Sequence, residues 1–323
     1  MALRNKFNTA VDLFKSSRKD IPAAIFSNIT KTGVFNLLPD KQYLSIMYKS
    51  QTGRKLNLQN PETFNEKLQW LKLYDRNPAY VPLVDKYEVK KYIADKIGEE
   101  YIIPTLGVWD SVEDIDFDVL PKRYVLKCTH DSGSTIVCKD KADFDIGKAK
   151  KILNKKLHNN LFWWGREWPY KIIKPRIIAE KYMTNCLGGN LIKEELIDYK
   201  FMCFDGKVKC SFTCTERFTG EGLKVTFFDM DWNKLPFTRR YPASNRDIKK
   251  PEQYEKMIDL AEMLSTGIPF VRVDFYEVMG KVYFGEMTFY PGNGTEVFNP
   301  EKWDYILGSW IKLPERDKYS SWC

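Results

Sequence analysis

The stretch FVRVDFYEVMGKVYFGEMTFYPGNG, residues 270–294, holds two short apolar-rich strands that each carry one acid, Asp274 and Glu286. Side chains alternate between the faces of a strand, so Arg272 and Asp274 share one face while Val271, Val273 and Phe275 take the other. Gly280 suits the turn that folds the second strand, Val282 to Thr288, back on the first. One acid per strand in a hydrophobic setting is the pattern of a paired-carboxylate metal site. Mg2+ usually takes one or two protein carboxylates and fills its shell with phosphate oxygens and water, so nucleotide phosphates with a hard cation are the matching guests. The loop Pro291-Gly292-Asn293-Gly294 is expected to return Asn293 beside Glu286. Taken alone, the same residues fit a surface hairpin with one solvated acid per strand.

Composition narrows the setting. With 323 residues, 43% hydrophobic and 15% aromatic, the chain is long enough for two or three packed lobes and reads as globular rather than disordered. No run of eighteen apolar residues exists, and Lys6, Asp12, Lys15, Arg18 and Lys19 interrupt the N-terminus. Neither a membrane span nor a signal peptide is expected, which points to a cytoplasmic protein. Seven cysteines, an odd number without CxxC spacing, fit a reducing compartment, and Cys210 with Cys214 has no nearby His to complete a zinc site. The net charge of +8 arises from basic residues mixed with acids along the chain, which argues against a nucleic-acid groove. Anionic small substrates or an anionic glycan account for it equally well. His130 and His158 are the two histidines and leave little room for a His-based nucleophile triad.

Residues 1–60 read as short helical or loop segments with basic flanks; the first forty either pack on the body or make a weak membrane-surface contact. Asn60-Pro61 marks a helix start, with Phe64, Leu68 and Leu71 at i, i+4 and i+7. A second helix is expected from Leu83 to Ile97, ended by Gly98. YVLKCTHDSGSTIVC, residues 124–138, reads as strand, glycine-containing turn, strand, with Lys127 near the end of the first. A Ser-Gly-Ser turn offers N–H groups and hydroxyls to anionic oxygens, and the lysine adds a point charge. It is not a Walker A loop, because no Gly-Lys-Ser/Thr opens a helix, and an ordinary polar hairpin tip has the same form. A helix from Ile146 to Leu157, a buried strand at Ile177 to Ala179, a hairpin turning at Asp205-Gly206 and a helix from Pro251 to Thr266 complete the pattern. Lys200, in the first strand of that hairpin, is expected to point to the same cleft as Lys127.

Read in order, NPETFNEKLQWLKLYD, VDKYEVKKYI, YVLKCTHDSGS, GREWPYKIIKPRIIAEKYM, DYKFMCFDGK and FVRVDFY with FGEMTFYPGNG resemble the ATP-grasp superfamily, and within it the TupA-like branch associated with teichuronopeptide and other surface-polysaccharide biosynthesis. The resemblance runs from about Asn60 to Pro314. It implies an α+β fold, two α+β lobes clasping ATP, behind an N-terminal helical extension. The implied borders are 1–60 for the extension, 61–123 for an N-terminal α/β region, 124–183 for a central lobe, 184–314 for a C-terminal lobe and 315–323 for a polar tail. By the same resemblance Lys86 and Lys127 are the nucleotide-binding lysines. Ser132, Gly133 and Ser134 form the loop over the phosphates, and Glu180, Lys181, Tyr182 and Met183 the hinge whose backbone meets the adenine edge. Asp274 and Glu286 hold Mg2+, and Arg272 steadies the transferring phosphoryl group. Where many ATP-grasp enzymes have asparagine two residues after the second acid, this chain has Thr288. That leaves Thr288 or Asn293 as third metal contact, with Asn293 the expected one.

The implied activity is ATP-dependent carboxylate–amine ligation through an acyl phosphate. An amino acid would be joined to a carboxylated sugar or glycan in bacterial surface-polysaccharide, for example capsule, biosynthesis. Such chemistry needs charge neutralisation and alignment rather than a covalent nucleophile. A sugar or small-molecule kinase on the same site, and a non-catalytic nucleotide-binding component of a polysaccharide assembly complex, are the alternatives. Trp163, Trp164 and Trp168 with Arg166 and Glu167 are the candidate acceptor surface, since sugar faces stack on indoles and carboxylates pair with arginine. The other reading of that run is lobe core, with Arg166 and Glu167 paired to each other.

Overall fold

A computed structural model describes residues 23–31, 33–187, 190–193, 196–217, 220 and 222–316. Residues 1–22, on which much of the membrane-surface expectation rests, and tail residues 317–323 lie outside the described residues. Two units are present, each assembled from separated stretches. The first comprises Met1–Asn77, Leu161–Lys171 and Tyr290–Cys323, the second Pro78–Asn160 and Ile172–Phe289.

The first unit is helical. Its helix Phe64–Tyr74 starts three residues after Pro61, because Thr63 and Glu66 form a capping box in which each side chain accepts from the other's backbone N–H. Phe64, Leu68 and Leu71 are buried as their spacing predicts, but Asn65, Gln69 and Lys72 are buried too. The donors of Asn65, Gln69 and Lys72 find acceptors inside the unit. Asn65 meets both carboxylate oxygens of Asp304 at 3.0 Å and donates to the Glu296 carbonyl at 2.9 Å. Asp304 belongs to the helix Lys302–Trp310, which crosses at backbone contact: a Cβ on Gly308 would lie 2.2 Å from the Glu62 carbonyl oxygen. The helices Ala23–Lys31 and Asp40–Thr52 contribute Phe26, Tyr43, Leu44 and Met47 to the core.

The second unit holds two larger antiparallel sheets. In the first, β1 (Thr105–Trp109), β2 (Tyr124–Cys128), β3 (Ile136–Cys138) and β4 (Ile177–Lys181) lie in the order β1-β4-β2-β3. The helix Ile146–Leu157 has the expected bounds and sets Leu153 into the apolar core of that sheet with Leu126, Cys128 and Ile177. The second sheet contains β5 (Asp198–Phe204), β6 (Lys207–Thr215), β7 (Lys224–Phe228), β8 (Phe270–Val278) and β9 (Lys281–Thr288), in the order β9-β8-β5-β6-β7. Every residue of the central strand β5 is buried. The helix Tyr254–Ser265 covers one face, with Met257, Leu260, Ala261 and Leu264 buried. Both hairpin turns are built on left-handed pairs, Asp205-Gly206 and Met279-Gly280, as the turn residues predict.

One helix differs from its expectation. Instead of running from Leu83 to Ile97, it is split into Tyr80–Val84 and Val89–Lys96, with Asp85 in an extended conformation between them. The Asp85 carboxylate accepts from the N–H groups of Tyr87 and Glu88 at 2.8 and 2.9 Å, so it nucleates a new turn in place of continuing the old one. Lys86 therefore sits in a turn, not on a helix. Among the described residues no helix is long and apolar enough to cross a membrane.

Candidate active site

β8 and β9 pair with Asp274 opposite Glu286, and the register then slips so that Phe275 faces Phe284. Gly285 is the extra residue at this bulge, and a Cβ there would stand 3.1 Å from both the Asp274 carbonyl oxygen and the Tyr276 ring. The bulge sets Glu286 on the face of Asp274. Arg272 joins the two acids: its Nε and one terminal nitrogen bond the two Asp274 oxygens at 2.7 Å each, and the same terminal nitrogen bonds Glu286 at 2.6 Å. From β5, Lys200 stands opposite Asp274 in register and donates to its carboxylate. The Thr288 hydroxyl donates to Glu286 at 3.2 Å.

These charges hold one another. Burial drives the Asp274 carboxyl above its usual range, and Arg272 and Lys200 only partly offset it. For Glu286, 44% exposed in its side chain, burial acts in the same sense but Arg272, Lys200 and Lys86 outweigh it and bring the group down to about 2. Burial would depress Lys200, yet Asp274 raises it overall. Two carboxylates reached by one guanidinium nitrogen are close enough to share one cation, and their all-oxygen donor set suits Mg2+. The residues present therefore fit the metal, with Thr288 as the polar side chain beside Glu286.

The lysines come from the other sheet and the turn before it. Asp85 caps the turn that carries Lys86 and accepts from the Thr129 hydroxyl at 2.8 Å, while the Lys86 N–H donates to the Thr129 carbonyl at 3.0 Å. The Lys86 ammonium bonds the Asp131 carbonyl, and burial lowers its pKa. Lys127, on β2, pairs with Glu180 of β4 at 2.8 Å. In the glycine loop Ser132 and Gly133 are exposed, whereas Ser134 is buried with its hydroxyl bonded to Asp131 and to the Cys128 N–H. Ser134 therefore shapes the loop. Beyond Glu180, Lys181 is exposed and Tyr182 and Met183 are half-buried, and the Lys181 N–H donates to the Pro104 carbonyl at 3.0 Å.

One cavity within this unit, about 670 Å3 counting its open mouth, gathers Lys86, Lys127, Glu180, Lys200, Asp274 and Glu286. Four further polar lining residues were not singled out in the sequence: Lys90, Thr135, Asp198 and Tyr276. Two had a legible signal, since Asp198 lies two residues before Lys200 on one strand face and Lys90 lies one helical turn after Lys86. Asp198 pairs with Arg217 at 2.5 Å and Lys200 at 3.5 Å, which hold it ionised against burial.

The remaining candidates lie in the first unit. Asn293 and Gly292 are left-handed, and the Asn293 carbonyl and carboxamide oxygens both accept from Lys72. Its carboxamide is thus engaged inside that unit, while Thr288 is the side chain found on Glu286. Arg166 is 1% exposed, stacks on the rings of Tyr43, Phe162 and Trp163, donates to the Phe35 carbonyl at 2.8 Å and faces Asp40 at 3.3 Å. Its ionic partner is Asp40 rather than Glu167, which faces Lys72 instead. Trp168 is buried, whereas Trp163 and Trp164 remain 39% and 43% exposed.

One cavity thus gathers a lysine from a turn, two lysines from strands and an acid pair linked by Arg272, and these charges suit nucleotide phosphates and a hard cation. The chain matches the TupA-like ATP-grasp family over residues 66–312 and belongs to it. Among solved structures it is similar to D-alanine–D-alanine ligase from Bacillus anthracis complexed with ATP, at 15% identity over 65% of this chain and 56% of that one, TM-score 0.38. It is also similar to D-alanine–D-alanine ligase from Helicobacter pylori, at 12% identity over 77% and 69% of the two chains, TM-score 0.40. A third is ATP-grasp ligase PsnB complexed with minimal precursor, Mg and ADP, at 12% identity over 69% and 57%, TM-score 0.36. The chain spans just over half the length of the first of these. No curated protein sequence matches it.

Proposed function

We propose that this protein is an ATP-dependent carboxylate–amine ligase that joins an amino acid to a carboxylated sugar in bacterial surface-polysaccharide biosynthesis, working in the cytoplasm. The observation that carries the reading is the acid pair Asp274 and Glu286, joined through Arg272, in one cavity with Lys86, Lys127 and Lys200. The lysines bind and neutralise the nucleotide phosphates, and Arg272 places a permanent cation beside the oxygens that gain charge as the phosphoryl group moves. Magnesium, when held by Asp274 and Glu286 with Thr288 adjacent, supplies further neutralisation of the phosphates. An oxygen of the acceptor carboxylate attacks the γ-phosphorus of ATP and ADP leaves; the amine then attacks the acyl carbon, loses a proton and displaces phosphate to form the amide. In the aromatic run, the exposed Trp163 and Trp164 and the half-buried Glu167 are the acceptor-side candidates, backed by Arg166 and Trp168.

The test is a hydroxylamine trap with ATP, magnesium and a panel of uronic-acid sugars and amino acids. A ligase yields a hydroxamate with its true carboxylate, and product mass identifies both partners. A stable phosphorylated sugar in place of hydroxamate would make the protein a kinase.

A further inference from the structure

Lys90 and the Glu180 side chain line the cavity, and neither is assigned a task by the ligase reading, which uses Glu180 only for its backbone. Lys90 lies in the helix Val89–Lys96, one turn beyond Lys86. Its ammonium has three acceptors within hydrogen-bond distance: Glu180 Oε1 at 2.6 Å, the Ile103 carbonyl at 2.8 Å and the Thr105 hydroxyl at 2.7 Å. An ammonium has three protons, so Lys90 has none left for a phosphate oxygen. Its acceptors are fixed by the sheet, since Thr105 opens β1 and stands opposite Glu180 in register.

Glu180 is similarly committed. It is 6% exposed, one oxygen takes Lys90 and the other takes Lys127 at 2.8 Å. Lys127 lies on the neighbouring strand, two residues beyond Val125, the register partner of Glu180. Diagonal neighbours of this kind are within reach of long side chains. Lys127 keeps 21% of its side chain exposed and lines the cavity. The order is thus a cation with all three protons taken, an anion with a cation on each oxygen, and a cation with protons to spare.

We propose that Lys90 and Glu180 are positioning residues: Lys90 fixes the Glu180 carboxylate, and Glu180 fixes the Lys127 ammonium so that its remaining protons face an anionic oxygen of the nucleotide. The inference rests on the reading of the cavity as the ATP site.

A double-mutant cycle on the full-length protein tests the relay, with Mg-ATP affinity measured by calorimetry. Lys127→Met and Lys90→Met are each expected to weaken binding roughly tenfold, as loss of a supporting partner behind a ligand-holding group typically does. The double variant is expected to bind no more weakly than Lys127→Met alone, since both changes remove one interaction. Glu180→Gln, which keeps the shape and removes the charge, should match Lys90→Met and serves as the deciding arm if Lys90→Met does not fold. Fully multiplicative losses, or unchanged affinity in Lys90→Met or Glu180→Gln while Lys127→Met binds weakly, would overturn the relay. If Lys127→Met binds Mg-ATP as the parent does, the nucleotide reading fails, and the relay with it.

Discussion

Lys72 is fully buried in the first unit and bonds Gln69 Oε1 at 3.2 Å and the Asn293 carbonyl at 2.9 Å, with the Tyr290 ring 5.6 Å from its nitrogen. Burial lowers its pKa and raises that of Glu167, each opposed by the charge of the other. Removing one member leaves a buried charge and several acceptors without a partner. Lys72→Met is therefore expected to cost about 3–5 kcal/mol in urea unfolding, with part recovered in the double variant Lys72→Met/Glu167→Gln. Glu180 gives a pH dependence. Burial opposes its ionisation, but Lys127 and Lys90 outweigh it and set the folded pKa below the ordinary 4.5. A depressed carboxylate contributes stability that is present above its unfolded pKa and lost as pH falls toward the folded value. The stability difference between the parent and Glu180→Gln should thus shrink from about pH 7 to about pH 3, and a difference that grew on acidification would contradict the ion-pair assignment.

Among the elements, two short-range features differ in how far the sequence reveals them. The capping box at Thr63 and Glu66 is written within four residues, and Thr63→Ala should cost about 1 kcal/mol in the same unfolding assay. The β8–β9 bulge is subtler. Gly285→Ala is predicted to press on the Asp274 backbone and the Tyr276 ring, displace Glu286 and weaken Mg-ATP binding while the secondary structure measured by circular dichroism persists. Strand alternation places Arg272 and Asp274 on one face, as found, whereas Glu286 joins them beside a register slip that alternation does not contain. The break at Asp85 shows the opposite case. The apolar residues Leu83, Val84, Val89 and Ile93 suggest one continuous helix, yet a carboxylate that captures two N–H groups ends one turn and starts another.

For the whole molecule, legibility follows sequence separation. Hairpins at Asp205-Gly206 and Met279-Gly280, and the helix Ile146–Leu157, arise from neighbouring residues and were readable from them. The partners of Lys72, Asn65 and Lys90 were not, because Asn293, Asp304 and Glu180 are brought to them by packing across 221, 239 and 90 positions of the chain. Nor could spacing show that Arg166 pairs with Asp40 rather than with the acid beside it. The family pattern supplied the order of lysines and acids, while the structure adds Asp85, Lys90 and Asp198 to the residues that hold them. Asp274 and Glu286 are the proposed floor of a Mg-ATP site. Calorimetric titration of Mg-ATP into the parent protein and Glu286→Gln tests this directly: binding is expected in the parent and a loss of at least roughly tenfold in the variant. Equal affinity in the two proteins would contradict the site.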